Sequence, residues 1–169
     1  MTSFTIRLPE HQARLVALAV SYHLARPGSE IDRSTMSEYL HGLSELQPVI
    51  EEQINESNAT FDLTPLQGVL LSTAFSSVMS ELKMYSVFDT MSGTSSRPRS
   101  TAPGFDGRLR SLFPEVAGDP AYAMTLAEDL AMLRRDMPFA RAKEALDEQR
   151  LTVEDTQQGR KKPWQFWKR

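Results

Sequence analysis

One short stretch of this chain alternates apolar and polar residues with period two: Phe4-Thr5-Ile6-Arg7-Leu8, closed by Pro9. That pattern reads as a strand with one buried face. After Leu8 no stretch argues for a second strand, and the later periodic segments are helical. A single strand is not stable alone, because its backbone donors and acceptors lack partners. The expectation is therefore a mainly α fold in which the one strand pairs with the same strand of a second copy.

The helical segments follow from spacing and end signals. Glu10 to Leu24 places Leu15, Leu18, Ala19 and Tyr22 on one face, and Val16 and Val20 widen it, so this helix needs cover on more than one side. Ala25-Arg26-Pro27-Gly28-Ser29 ends it. A second helix is expected from Ser34 or Thr35, where Thr35 and Glu38 fit a capping box, with a stripe of Met36, Tyr39, Leu40, Leu43 and Leu46. Pro48 breaks or kinks it, and Val49 to Asn58 reads as a further short helix. Thr64-Pro65-Leu66-Gln67 is a third start signal, and apolar spacing continues to about Phe88. Asp119-Pro120 opens a helix through Tyr122, Leu126, Leu130 and Leu133, and Pro138 opens a polar one to about Glu154. No internal repeat is evident.

Composition narrows the function classes. The 169 residues include no Cys, which excludes disulfides, thiolate catalysis and Cys-ligated metal sites. The longest apolar run, Leu15 to Val20, is too short to span a bilayer, and a cytoplasmic setting is the expectation. Net charge is -3 overall but unevenly placed: residues 1–45 carry -1, residues 46–92 carry -5, and residues 93–169 carry +3. Ser92 to Gly104 is rich in Gly, Ser, Thr and Pro and reads as a flexible linker. The tail Gly159-Arg160-Lys161-Lys162-Pro163-Trp164-Gln165-Phe166-Trp167-Lys168-Arg169 holds both Trp residues and five cations. Lys161, Lys162, Trp164 and Trp167 are its candidate interaction residues, toward a nucleic acid, a membrane surface or a partner protein.

A strand followed by a helix, a turn and a second helix, dimerised through a two-stranded ribbon, resembles the ribbon-helix-helix family, in particular its Arc-type repressors. The matching residues are Phe4-Thr5-Ile6-Arg7-Leu8-Pro9 and Arg33-Ser34-Thr35-Met36-Ser37-Glu38-Tyr39-Leu40. The resemblance implies a homodimer that reads the major groove of double-stranded DNA with Ser3, Thr5 and Arg7, with Phe4, Ile6 and Leu8 in the core. It implies phosphate contacts from Arg33, Ser34 and Thr35 at the second helix's N-terminus. Family members act as transcriptional repressors, antitoxins, plasmid-partition factors or accessory proteins at transfer origins. This chain departs in two respects: the segment Ala25 to Asp32 is longer than usual, and the module is not basic.

The domain boundaries that follow are 1–48 for the ribbon-helix-helix module, 49–90 for a helical oligomerisation or interaction region, 91–113 for the linker, 114–158 for a helical region and 159–169 for the tail. The competing reading is a helical adaptor whose strand serves dimerisation and whose tail binds a partner or membrane surface. No cofactor is implied. An enzyme is disfavoured, because no phosphate loop, dinucleotide glycine pattern or nucleophile elbow is present. Ser80-Glu81-Leu82-Lys83 matches Ser-x-x-Lys without the companion motifs. His11, His23 and His41 lack metal-ligand spacing with one another, and His11 and His23 lack a carboxylate at i+3 or i+4, so the three read as surface or boundary residues. Glu51, Glu52 and Glu56 read as a solvated acidic face.

Overall fold

In the computed structural model of the chain the described residues are 3–27, 42–91, 100 and 102–160. They form β1 (Phe4–Pro9), α1 (Glu10–Ala25), α2 (Leu43–Gln53), β2 (Asn58–Leu63), α3 (Pro65–Met91), α4 (Phe105–Leu112), α5 (Glu115–Gly118), α6 (Tyr122–Asp136) and α7 (Phe139–Arg160). The protein is mainly helical, with a two-stranded antiparallel sheet.

The partner of β1 lies in the same chain. β1 pairs with β2 in the register Phe4↔Leu63, Thr5↔Asp62, Ile6↔Phe61, Arg7↔Thr60, Leu8↔Ala59 and Pro9↔Asn58. This corrects the expectation of no strand after Leu8, and it removes the reason for seeking a partner strand in a second copy. Asn58 to Leu63 alternates as β1 does: Ala59, Phe61 and Leu63 are buried, while Asn58, Thr60 and Asp62 are exposed. Asn and Asp are poor strand formers, and their presence hid a period-two pattern only six residues long.

The two strands open two similar units. β1 runs straight into α1, and β2 runs through Thr64 into α3. Thr64 accepts from the Gln67 N–H through Oγ1 (3.2 Å), and the Gln67 side chain accepts from the Thr64 N–H (3.0 Å). This reciprocal capping box fixes the start of α3 as the sequence indicated. Gln67 Nε2 also donates to the Gly42 carbonyl at 3.1 Å, which ties α3 to the start of α2.

α1 is the central helix. Leu15 to Val20 are all buried, because α2, α3, α4 and α6 all pack around it. A helix with a narrow apolar stripe could not take that position. The second helix differs from expectation. Gly42 is extended (φ -90°, ψ -161°) and caps α2, so Leu43 and Leu46 do not continue a helix from Ser34. α2 also passes through Pro48 without ending.

Of the segment expected as linker, residues 102–113 are described and are built into the fold. Gly104 adopts φ +78°, a left-handed conformation that a side chain would strain, and so turns the chain into α4. Phe105, Leu109 and Leu112 lie on one helical face and are buried. Phe105 meets the Tyr22 ring edge-on at 5.3 Å. Arg108 pairs with Glu51 of α2, so Glu51 is not simply solvated as expected. α6 buries Ala123, Leu126, Ala127, Leu130 and Leu133, and packs along α3. α7 crosses the N-terminal part of α3 so closely that a Cβ on Gly68 would lie 2.6 Å from the Ala142 Cβ. The Phe75 and Phe139 rings meet edge-on at 5.4 Å. Beyond Leu146, α7 leaves the core: Asp147 to Thr152 are all exposed.

Candidate functional site

Alternation along both strands builds one polar face. Ile6, Leu8, Ala59, Phe61 and Leu63 point into the core, and Thr5, Arg7, Thr60 and Asp62 are exposed on the other side. The register sets Thr5 opposite Asp62 and Arg7 opposite Thr60. The Thr5 hydroxyl donates to Asp62 Oδ1. Among the described residues Arg7 has no hydrogen-bond or ion-pair partner, so its guanidinium is available to a ligand.

The two edges of the ribbon differ. The Thr60 N–H donates to Gln53 Oε1 of α2 at 2.7 Å, so it points away from β1. By the alternation of an antiparallel ladder, Thr5–Asp62 and Arg7–Thr60 are then the closely spaced pairs without main-chain hydrogen bonds. The N–H groups of Thr5 and Arg7 therefore point to the outer edge of β1. No backbone group of a described residue outside the sheet pairs with that edge. One edge is thus covered by a side chain of α2, and the other presents free donors.

The ribbon brings Thr5 and Arg7 of the expected DNA-contact set together. Ser3 is exposed just ahead of β1. Arg33, Ser34 and Thr35, the expected phosphate contacts, lie outside the described residues, as do Lys161, Lys162, Trp164 and Trp167 of the tail. Thr60 and Asp62 were not singled out in the sequence. The alternation of 58–63 was the available signal for them.

A second constellation lies where the start of α1 meets α5 and α6. An open cleft of about 400 Å³ is lined by residues that include Glu10, His11, Arg14, Ser57, Phe113 and Tyr122. His11 Nε2 lies 2.9 Å from Asp129 Oδ2, a carboxylate far away in sequence that local spacing could not reveal. The His11 ring stands edge-on to Phe113 at 5.6 Å. Arg14 is held by Glu10 (2.5 Å), Asn55 Oδ1 (3.3 Å) and the Leu112 carbonyl (3.4 Å). Burial, and then the charges of Glu115 and Asp129, raise the Tyr122 phenol above its ordinary pKa. A His–carboxylate pair can orient a general base, and among the described residues no hydroxyl bonds the His11 ring. No group of three metal-ligating side chains occurs among the described residues. Ser80 donates back to the Ser76 carbonyl at 3.2 Å on the exposed side of α3, outside both constellations.

The ribbon face combines an Arg without a partner among the described residues with outward polar alternation, whereas Arg14 and His11 of the cleft are engaged by Glu10, Asn55 and Asp129. No family model, curated protein or solved structure matches the chain, so the ribbon stands as the candidate site on its own geometry.

Proposed function

We propose that the protein binds double-stranded DNA through the outward face of the β1–β2 ribbon. The supporting observation is the exposed quartet Thr5, Arg7, Thr60 and Asp62 on a two-stranded antiparallel sheet whose other face is buried. A two-stranded ribbon has the width of the major groove, and its outward side chains meet base edges there. Arg7 donates in a fork suited to guanine O6 and N7, and the hydroxyls of Thr5 and Thr60 supply short polar contacts. The free N–H groups on the β1 edge are placed for phosphate oxygens, which take many of the hydrogen bonds in protein–DNA complexes. Regulation of transcription, plasmid partition and transfer-origin binding are the roles such a reader serves.

The test is titration of the full chain against random duplex at two salt concentrations, followed by selection of a preferred sequence. Salt-dependent binding with a selected preference supports the proposal. No binding at low salt ends it.

A second reading is favoured by the outer half of α7. Asp147 to Thr152 are exposed, Leu151 is 64% exposed, and the helix leads toward the basic aromatic tail. In that reading the chain is an adaptor whose tail binds a partner or a membrane surface. Among the described residues no helix is long and apolar enough to cross a membrane. Removal of residues 159–169 separates the two readings: the DNA reading keeps its sequence preference after truncation, and the adaptor reading has none to keep.

A further inference from the structure

The ribbon has two strands of one chain where a symmetric reader has two copies of one strand. The register places an approximate two-fold axis through the Ile6–Phe61 pair, relating Thr5 to Thr60 and Arg7 to Asp62. The outward quartet therefore has Thr on one diagonal, and Arg and Asp on the other. Two identical strands in this register would place Arg at both ends. Here one end only donates and the other only accepts.

We propose that a single chain reads an asymmetric, non-palindromic duplex site, with Arg7 set for a guanine and Asp62 for a cytosine. This rests on the DNA-binding reading above. Guanine presents the acceptors N7 and O6 in the major groove, and cytosine presents the N4 donor. A carboxylate against guanine or thymine meets acceptors and stays unpaired, so Asp62 rejects those bases. The Thr5 hydroxyl donates to one Asp62 oxygen, which fixes the carboxylate's orientation and leaves its other oxygen to accept. The two residues are diagonal neighbours across adjacent strands, about 7–8 Å apart, or roughly two base-pair steps. The guanine and the cytosine then fall within two or three base pairs of each other. Asp62 also repels phosphate, so it exchanges general DNA affinity for selectivity. The unequal edges repeat the asymmetry: free N–H groups of Thr5 and Arg7 on one side, and the Gln53-capped Thr60 N–H on the other.

The experiment is sequence selection with wild type, Arg7→Ala and Asp62→Asn, together with the mass of the complex on the shortest duplex bound. The expected result is a site without two-fold symmetry, occupied by one 19.1 kDa chain. Arg7→Ala loses the preference at the guanine by roughly tenfold. Asp62→Asn moves the preference at the cytosine toward adenine, which suits an amide's paired donor and acceptor, and it raises affinity for random duplex. Circular dichroism checks that both exposed variants keep the fold. A palindromic site bound by two chains overturns the inference and leaves the DNA reading standing, as does an unchanged base preference in Asp62→Asn. Absence of any duplex binding by wild type overturns both.

Discussion

The units β1–α1 and β2–α3 share one plan and differ in detail at three points. Each runs from a short strand into a long helix through a proline-containing junction. α3 starts on the Thr64–Gln67 capping box, whereas α1 starts at Pro9 without a side-chain cap. The outer edge of β2 is covered at Thr60 by Gln53, whereas no backbone group of a described residue outside the sheet pairs with that of β1. The outward position held by Arg7 in the first unit is held by Asp62 in the second. The inward positions keep their character: Ile6 and Leu8 correspond to Phe61 and Leu63, and all four are buried. Burial constrains the inner face of both strands alike, because a polar group there would lose hydration without gaining a partner. The outer face carries no such constraint, so the two units are free to diverge there, which is where recognition would be built.

The largest effect expected is on the pairing itself. Phe61→Ala empties a site 3% exposed opposite Ile6, and should lower stability by about 3–5 kcal/mol in urea denaturation. A loss under about 0.5 kcal/mol would mean that Phe61 is not buried against β1 and would break the comparison of the two units. Gly68→Ala comes next. The added methyl collides with Ala142, so α3 and α7 must separate, at a cost of about 1–3 kcal/mol. A stabilised variant, as expected for alanine in an open helix, would show that the two helices do not cross there.

Thr64→Ala removes the cap that the first unit lacks. It should cost about 1 kcal/mol, with Pro9→Ser nearly neutral or slightly stabilising at the matching junction. Equal losses at both junctions would erase the distinction between them. Arg7→Ala should change folding stability by less than about 0.5 kcal/mol, since Arg7 is exposed and has no described partner. On the DNA-binding reading proposed above, its effect falls on duplex affinity instead.

The smallest effect is at alkaline pH. The Tyr122 phenol is raised in the folded protein, so between its ordinary pKa of 10.0 and the raised value the folded state holds a proton that the unfolded chain has released. Stability from this group is therefore full below pH 10 and falls as pH rises above it. Tyr122→Phe should flatten that decline in thermal melts from pH 9 to 11. An identical slope in the variant would remove Tyr122 as its source.

Much of the helical framework was legible in order along the chain. Glu10 to Leu24, the Thr64-Pro65-Leu66-Gln67 start and the Leu126–Leu130–Leu133 stripe all became helices close to their expected bounds, because local spacing and capping act within a few residues. The all-round burial of α1 followed from its apolar width. Half of the candidate face was legible too, since Thr5 and Arg7 sit on the outward phase of an alternation that sequence reveals.

What only the tertiary structure decided is which distant segments meet. Strand pairing is non-local: Phe4 finds Leu63 through a register set by burying Ile6 against Phe61, and no local pattern names that partner. The same holds for the His11–Asp129 pair and for Arg108 on Glu51. The ordering of Phe105 to Leu112 is also tertiary, since its three buried side chains gain their stabilisation from α1 and the elements around it. The sequence determined that a strand at the start of this chain required a partner, because unpaired backbone groups are costly. That the chain itself supplies the partner, with an acid where a symmetric ribbon would place a second arginine, was decided by packing between segments distant in the sequence.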